Sequence, residues 1–160
     1  EQKRPSTTML PIIHAEAYSK LKRLNQSNTL VIIDFDRTIS SKDSQECHHL
    51  VGESKHMSEQ FRKEFSILLD NPSIVGTRWW NMAHDLMVRY KLTTAQINAM
   101  IRTSIDNNTV QLRPGMKELL DMLASLSIPV LIVSAGLTDL IIRFLDVWGV
   151  HHANVSLSSN

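Results

Sequence analysis

Two short stretches of this 160-residue chain hold residue types that could do chemistry, Asp34-Phe-Asp-Arg-Thr38 and Ser134-Ala-Gly136. In extended backbone, side chains two apart point the same way, so Asp34 and Asp36 are expected to converge on one small volume. Two carboxylates held there repel. The repulsion is relieved by a divalent cation bound through hard oxygen ligands, or by a proton shared between them. A helix cap or solvated turn is the ordinary alternative for an Asp-x-Asp, and the apolar run before Asp34 and the hydroxyl at Thr38 weigh against it. Ser134-Ala-Gly136 puts a hydroxyl and then small residues ahead of a helical pattern. That is the composition of an anion cradle, with Ser134 Oγ and exposed backbone N–H groups aimed at one phosphate-sized ligand. A tight strand-to-helix turn, with Gly136 chosen for backbone freedom, explains the same tripeptide by itself. Position favours the cradle, because both stretches follow strand-like runs.

Those runs are Leu30-Val-Ile-Ile33 and Ile128-Pro-Val-Leu-Ile-Val133. Their continuous β-branched character predicts strands buried on both faces and paired in parallel. Pro129 lies near the start of the second, where a missing N–H is tolerated. Open α/β sheets collect ligands at the C-terminal ends of their strands, where both stretches lie. Helical spacing of Ile13, Ala17, Leu21 and Leu24 predicts a leading helix over 12–24, followed by a loop at 25–28. Between the strands, Met57, Phe61, Phe65 and Leu68 or Leu69 form one stripe, and Trp79 or Trp80, Ala83, Met87 and Tyr90 another. Thr93-Thr-Ala-Gln96 has the form of a capping box ahead of Ile97, Met100 and Ile101. Arg113-Pro-Gly115 punctuates before a helix carrying Met116, Leu119, Leu120 and Leu123. Leu137, Leu140, Ile141, Phe144 and Leu145 line a last helix that Gly149 terminates in the left-handed conformation, and Asn154 to Ser158 begins a further strand.

Composition bounds what such a site can serve. With 42% hydrophobic and 21% charged residues the chain has the make-up of one globular domain. A net charge of +1 provides no bulk field for a nucleic-acid polymer or an anionic membrane, so an anionic ligand must be held locally. Cys47 is the single cysteine, which with the absence of an apolar run near ~20 residues favours a cytoplasmic protein. Cys47-His48-His49 offers zinc ligands, but three adjacent donors close a tetrahedron poorly and no distant pair has finger-like spacing. His151 and His152 read as surface loop residues, and the methionines as core filler. Starting at Glu1 and stopping at Asn160 directly after a strand-like stretch, the chain reads as truncated.

Asp34-Phe-Asp-Arg-Thr38 resembles the first motif of the haloacid dehalogenase-like phosphohydrolases, and Ser134-Ala-Gly136 the second. Residues 29–40, 79–92 and 128–160 resemble the cytosolic pyrimidine 5′-nucleotidases of type III, a family with members acting on 7-methylguanosine monophosphate. Ser134-Ala-Gly-Leu-Thr-Asp139 followed by Gly149-Val-His-His-Ala-Asn-Val155 carries most of the likeness. The resemblance implies an α/β, Rossmann-like parallel core with a helical cap insert, incomplete at its C-terminus. Residues 1–40 and 111–160 would form the core and residues 41–110 the cap. It implies Asp34 as nucleophile through an aspartyl-phosphate and Asp36 as general acid and base. Mg²⁺ would be held by the Asp34 carboxylate and the Asp36 main-chain carbonyl, while Ser134, Ala135, Gly136 and Thr38 bind phosphate. Trp79 and His84, with Trp80, are candidates to bind the base of a nucleoside monophosphate. Ala83 stands where the family has a substrate-binding serine, and the family's base-reading glutamate has no counterpart, so base preference stays open. A lysine and an acidic motif that the family carries beyond the position of Asn160 are not in this sequence, which implies slow turnover by residues 1–160 alone and a bare apolar sheet edge at Leu30 to Ile33. Two other readings remain at this stage: a phosphatase for another phosphomonoester such as phosphoserine, and a non-catalytic nucleotide- or protein-binding remnant.

Overall fold

A computed structural model describes residues 27–160; the expected helix over 12–24 lies outside them. The β-branched runs form strands β1 (Val31–Ile33) and β2 (Val130–Val133), joined by β3 (Val155–Ser158) in a parallel sheet of order β1-β2-β3. Val31 faces Val130 and Ile33 faces Ile132, so the two strands reach their C-terminal ends together. Helices α5 (Met116–Ser125) and α6 (Thr138–Val147) make the crossovers into β2 and β3. Gly149 ends α6 at φ 64°, with the Val150 N–H returning to the Leu145 carbonyl at 3.0 Å, the left-handed stop expected there.

Burial on both faces does not hold. Ile32 is 63% exposed, Leu30 56% and Val133 46%, while Val130 and Ile132 on the opposite face are buried. The reason is topological. Successive right-handed crossovers that advance in one direction across a sheet place both helices on the same face. Leu120, Leu123, Leu140, Ile141 and Phe144 supply that covered side. Along the described residues, β1 is therefore an edge strand with an apolar outer face, the arrangement expected for Leu30 to Ile33.

Between β1 and α5 the chain forms four helices: α1 (Cys47–Gly52), α2 (Glu59–Leu69), α3 (Thr77–Arg89) and α4 (Thr94–Asp106). Met57, Phe61, Phe65 and Leu68 are buried, as are Ala83, Met87, Ile97, Met100 and Ile101, so the helical stripes read from the sequence face inward, into one core continuous with Leu140, Ile141 and Phe144 of α6. Ser58 caps α2 by accepting the Phe61 N–H at 3.1 Å. Thr93 and Gln96 close the capping box of α4. The segments that lead from β1 to α1 and from α4 to α5 run side by side. Ser40 bridges Leu112, the Ser41 N–H donates to the Gln111 carbonyl at 2.8 Å, and the Arg113 N–H donates to the Ile39 carbonyl at 2.9 Å.

Candidate active site

Directly after β1 the chain does not stay extended. Asp34 keeps strand-like angles, but Phe35 is fully buried, with its ring 6.3 Å from that of Phe144 and 6.0 Å from that of Trp148. The backbone then turns, and the Ser40 N–H returns to the Phe35 carbonyl at 3.0 Å. Arg37 adopts φ 57°, a left-handed conformation uncommon for a residue with a Cβ. That turn is held from two sides: Ser40 Oγ accepts the Arg37 N–H at 2.7 Å, and Arg113 donates from Nε to the Thr38 carbonyl at 2.6 Å and from Nη2 to the Arg37 carbonyl. Asp34 (φ −85°, ψ 159°) and Asp36 (φ −65°, ψ 123°) both keep extended-type angles on either side of the buried Phe35, and the left-handed step of the turn comes at Arg37.

The two carboxylates differ in environment. Asp34 is exposed, and its Oδ2 accepts the Thr38 hydroxyl at 3.1 Å. Asp36 is half-buried, and its Oδ1 accepts the Cys47 N–H at the start of α1 at 3.1 Å. Burial pushes the Asp36 carboxyl above its ordinary pKa. Hydrogen bonds from Cys47 oppose that shift, and the charges of Glu46 and Asp34 add to it.

At the end of β2 the Ser134 N–H is spent on the Ser158 carbonyl (3.0 Å), and Ser134 Oγ accepts the Gly136 N–H at 3.0 Å. Gly136 therefore does not offer its N–H to an anion in this conformation; the glycine's role is close packing. A Cβ at residue 136 would lie 3.0 Å from Cys47 Sγ and 3.2 Å from both Cys47 Cβ and Ile141 Cδ1. The Ser134 hydroxyl hydrogen and the Ala135 N–H remain as the loop's donors. Asn160 braces the loop, donating from Nδ2 to the Ala135 carbonyl at 2.8 Å and from its N–H to the Gly136 carbonyl at 3.2 Å, while the Thr138 hydroxyl donates to the Asn160 carbonyl at 2.8 Å.

Cys47 joins the two loops. Its backbone holds Asp36, and its buried side chain lies against Gly136. Burial and the neighbouring Asp36 push its thiol well above the ordinary value, as for a packing residue. The packing role of Cys47 has no signal in the sequence, and neither have the bracing contacts of Asn160 and Arg113, which span 25 and 75 residues.

The base-binding candidates fall into separate cavities. Trp79 lines one of about 260 Å³ with His48, Val75, Gly76 and Trp80. Its indole N–H is already given to the Leu68 carbonyl at 3.2 Å, so Trp79 can offer a ring face or edge but no donor. Burial pushes His48 below its ordinary pKa, with His49 adding to the effect. His84 lines a larger cavity of about 530 Å³ between α3 and the loop after β2, with Leu137, Thr138, Asp139 and Asn160. Its Nε2 is buried without a hydrogen-bond partner. His151 and His152 follow α6 and pair with Asp146 and Asp121, each at 2.7 Å.

The sequence profile described as pyrimidine 5′-nucleotidase (UMPH-1) matches residues 30–160. This chain belongs to that family. Relatives named 7-methylguanosine phosphate-specific 5′-nucleotidase include those of Mus musculus, 30% identical over 91% of this chain and 53% of that protein, and Gallus gallus, 30% identical over 88% and 54%. The chain spans about half the length of the curated relatives it matches. Its fold is similar to that of cytosolic 5′-nucleotidase IIIB bound to cytidine, with a TM-score of 0.64 at 22% identity over 82% of this chain and 48% of that one. That likeness speaks for the fold: a mixed helix and strand architecture with a small parallel sheet.

The donor set suits a hard divalent cation. The exposed Asp34 carboxylate and the Asp36 carbonyl would offer hard oxygen donors next to a second carboxyl whose charge is disfavoured by burial. Arg37 is turned to another carboxylate, its Nη1 pairing with Glu46 Oε1 at 3.0 Å. Among the described residues, no helix is long and apolar enough to cross a membrane.

Proposed function

We propose that this chain is a cytoplasmic, Mg²⁺-dependent phosphohydrolase that removes the 5′-phosphate from nucleoside monophosphates of the pyrimidine or 7-methylguanosine type. The observation that carries the reading is the junction at Cys47. One residue holds the Asp36 carboxylate by its backbone and abuts the Ser134–Gly136 loop by its side chain, beside strands whose registers end together. The family relationship supports the nucleotide as substrate class, and the cytidine-bound relative of the same fold is consistent with it.

The residues divide the work as follows. The Thr38 hydroxyl orients the Asp34 carboxylate by donating to Oδ2, and we assign Oδ1 as the attacking atom. Oδ1 forms a bond to phosphorus as the ester bond to the nucleoside 5′-oxygen breaks, and Asp36 donates its proton to that leaving oxygen. A carboxyl raised in pKa by burial suits that donation. In the second half, ionised Asp36 takes a proton from water as the water oxygen attacks the phosphorus on Asp34. Inorganic phosphate leaves, and both carboxyls return to their starting states. The Ser134 hydroxyl and the Ala135 N–H hold phosphate oxygens throughout. The Asp34 carboxylate and the Asp36 carbonyl would hold Mg²⁺, which would supply charge neutralisation between nucleophile and phosphate.

The test is single-turnover phosphate release with the chain in excess over nucleotide, so that a slow reaction still registers. Cytidine, uridine and 7-methylguanosine monophosphates are compared with phosphoserine. The nucleotides are expected to be hydrolysed only with Mg²⁺, and Asp34→Asn to abolish the reaction while retaining nucleotide binding. Release that is unaffected by Asp34→Asn, or that prefers phosphoserine, would overturn the assignment.

A further inference from the structure

We infer that Glu46, His48 and His49 form a zinc-type metal site, apart from the oxygen ligands at Asp34 and Asp36. One ligand atom from each of the three residues lies within 4.8 Å of the other two. Tetrahedral zinc with bonds near 2.0–2.1 Å spaces its ligands by about 3.4 Å, so closure asks each side chain to move by no more than about 1.5 Å. Side-chain rotation covers that. His48 Nε2 already stands 3.3 Å from Glu46 Oε2, and the His48 and His49 ring centroids are 4.6 Å apart. All three residues are half-buried, which limits competition from water without blocking entry.

The donor chemistry discriminates among metals. Two imidazoles and one carboxylate suit zinc and its transition-metal neighbours, whereas Mg²⁺ prefers oxygen alone. Adjacency in sequence makes Cys47-His48-His49 a poor chelate, and the structure removes the cysteine from the set by burying its thiol against Gly136. Glu46 replaces it. The carboxylate has an oxygen for each partner: Oε2 faces His48, and Oε1 holds Arg37 Nη1 at 3.0 Å. A metal on Oε2 leaves the Arg37 pair in place and so ties α1 to the turn that carries Asp34 and Asp36.

The experiment uses the full chain, free of any affinity tag and stripped with a chelator, titrated with Zn²⁺ by calorimetry and with Co²⁺ by visible absorption. The expected result is about one ion per chain with the d–d bands of a low-coordinate Co²⁺ site. His48→Ala and His49→Ala should each weaken binding at least about tenfold, and Glu46→Gln, which preserves shape, should do likewise. Cys47→Ser should bind as the parent does. Circular dichroism melts establish that each variant is folded; should either histidine variant unfold, Glu46→Gln carries the test. Absence of Zn²⁺ binding, or binding retained within about twofold when His48 and His49 are both replaced, overturns the site. None of these readouts depends on phosphate release, so their failure is separable from failure of the phosphohydrolase reading.

Discussion

Gly136→Ala tests the coupling of the two loops most directly. The added methyl would sit 3.0 Å from Cys47 Sγ and 3.2 Å from Cys47 Cβ and Ile141 Cδ1, against the roughly 3.5–4.0 Å at which carbon contacts are most favourable. Ile141 Cδ1 is a chain end and can rotate away. Cys47 Cβ is bound to the first residue of α1 and can move only with the helix, which carries the Asp36 contact along. Overpacking of this kind costs about 1–3 kcal/mol, or a Tm lower by roughly 2–10 °C for a chain of this size. Displacing α1 by a few tenths of an ångström also shifts the Asp36 carboxylate against the phosphate loop. Since misplacement by about 1 Å can cost ~100-fold, a single-turnover rate about tenfold lower is expected. Thermal melts and phosphate release on Gly136→Ala, Cys47→Ala and the double variant form a cycle. Removing Sγ relieves the 3.0 Å contact but not the 3.2 Å one, so the double variant should recover part of both losses. A Gly136→Ala protein melting within about 1 °C of the parent, or strictly additive effects in the cycle, would refute the reasoning.

Other outcomes follow from the same contacts. Gly52→Ala places a methyl 2.3 Å from Cδ1 and 2.7 Å from Cε1 of the fully buried Phe65; a loss near the upper end of about 3 kcal/mol is expected, partly restored when Phe65→Leu is added, as denaturant titration would show. Asp36→Asn should stabilise the metal-free protein at neutral pH. With the folded pKa raised above the ordinary 3.8, the carboxyl favours folding below that value, and the contribution is lost as pH rises through the raised one. The gain in Tm over the parent, measured in chelator, should accordingly shrink as the pH is taken below 3.8; a gain independent of pH would contradict the burial argument. Ile32, 63% exposed on the edge strand, is expected to drive self-association. Sedimentation should show Ile32→Lys shifted toward monomer, and a parent chain that is monomeric at all concentrations would count against the exposed edge.

What could be read without coordinates was periodic or positional. The apolar stripes of α2, α3 and α4, the Thr93–Gln96 box and the Gly149 stop depend on neighbours within a few residues, and local spacing determines them. The ends of β1 and β2 likewise announced where ligands could gather, since parallel strands that finish together place their following loops side by side. Tertiary structure decided the rest, because it turns on which distant groups meet. The β-branched runs look the same whether one face of a sheet is covered or both, and only the direction of the crossovers left Leu30 and Ile32 exposed. The Asp-x-Asp spacing did not reveal the partners that set the two carboxylates apart, a hydroxyl from Thr38 for Asp34 and the backbone N–H of Cys47 for Asp36. Cys47 shows the division most plainly: by sequence it stands beside two histidines, but a helix begins at that residue, so its thiol turns inward to Gly136 while the His48 ring faces Glu46 and the tryptophans. Successive positions on a helix point about 100° apart, and adjacency along the chain is then no guide to adjacency in space.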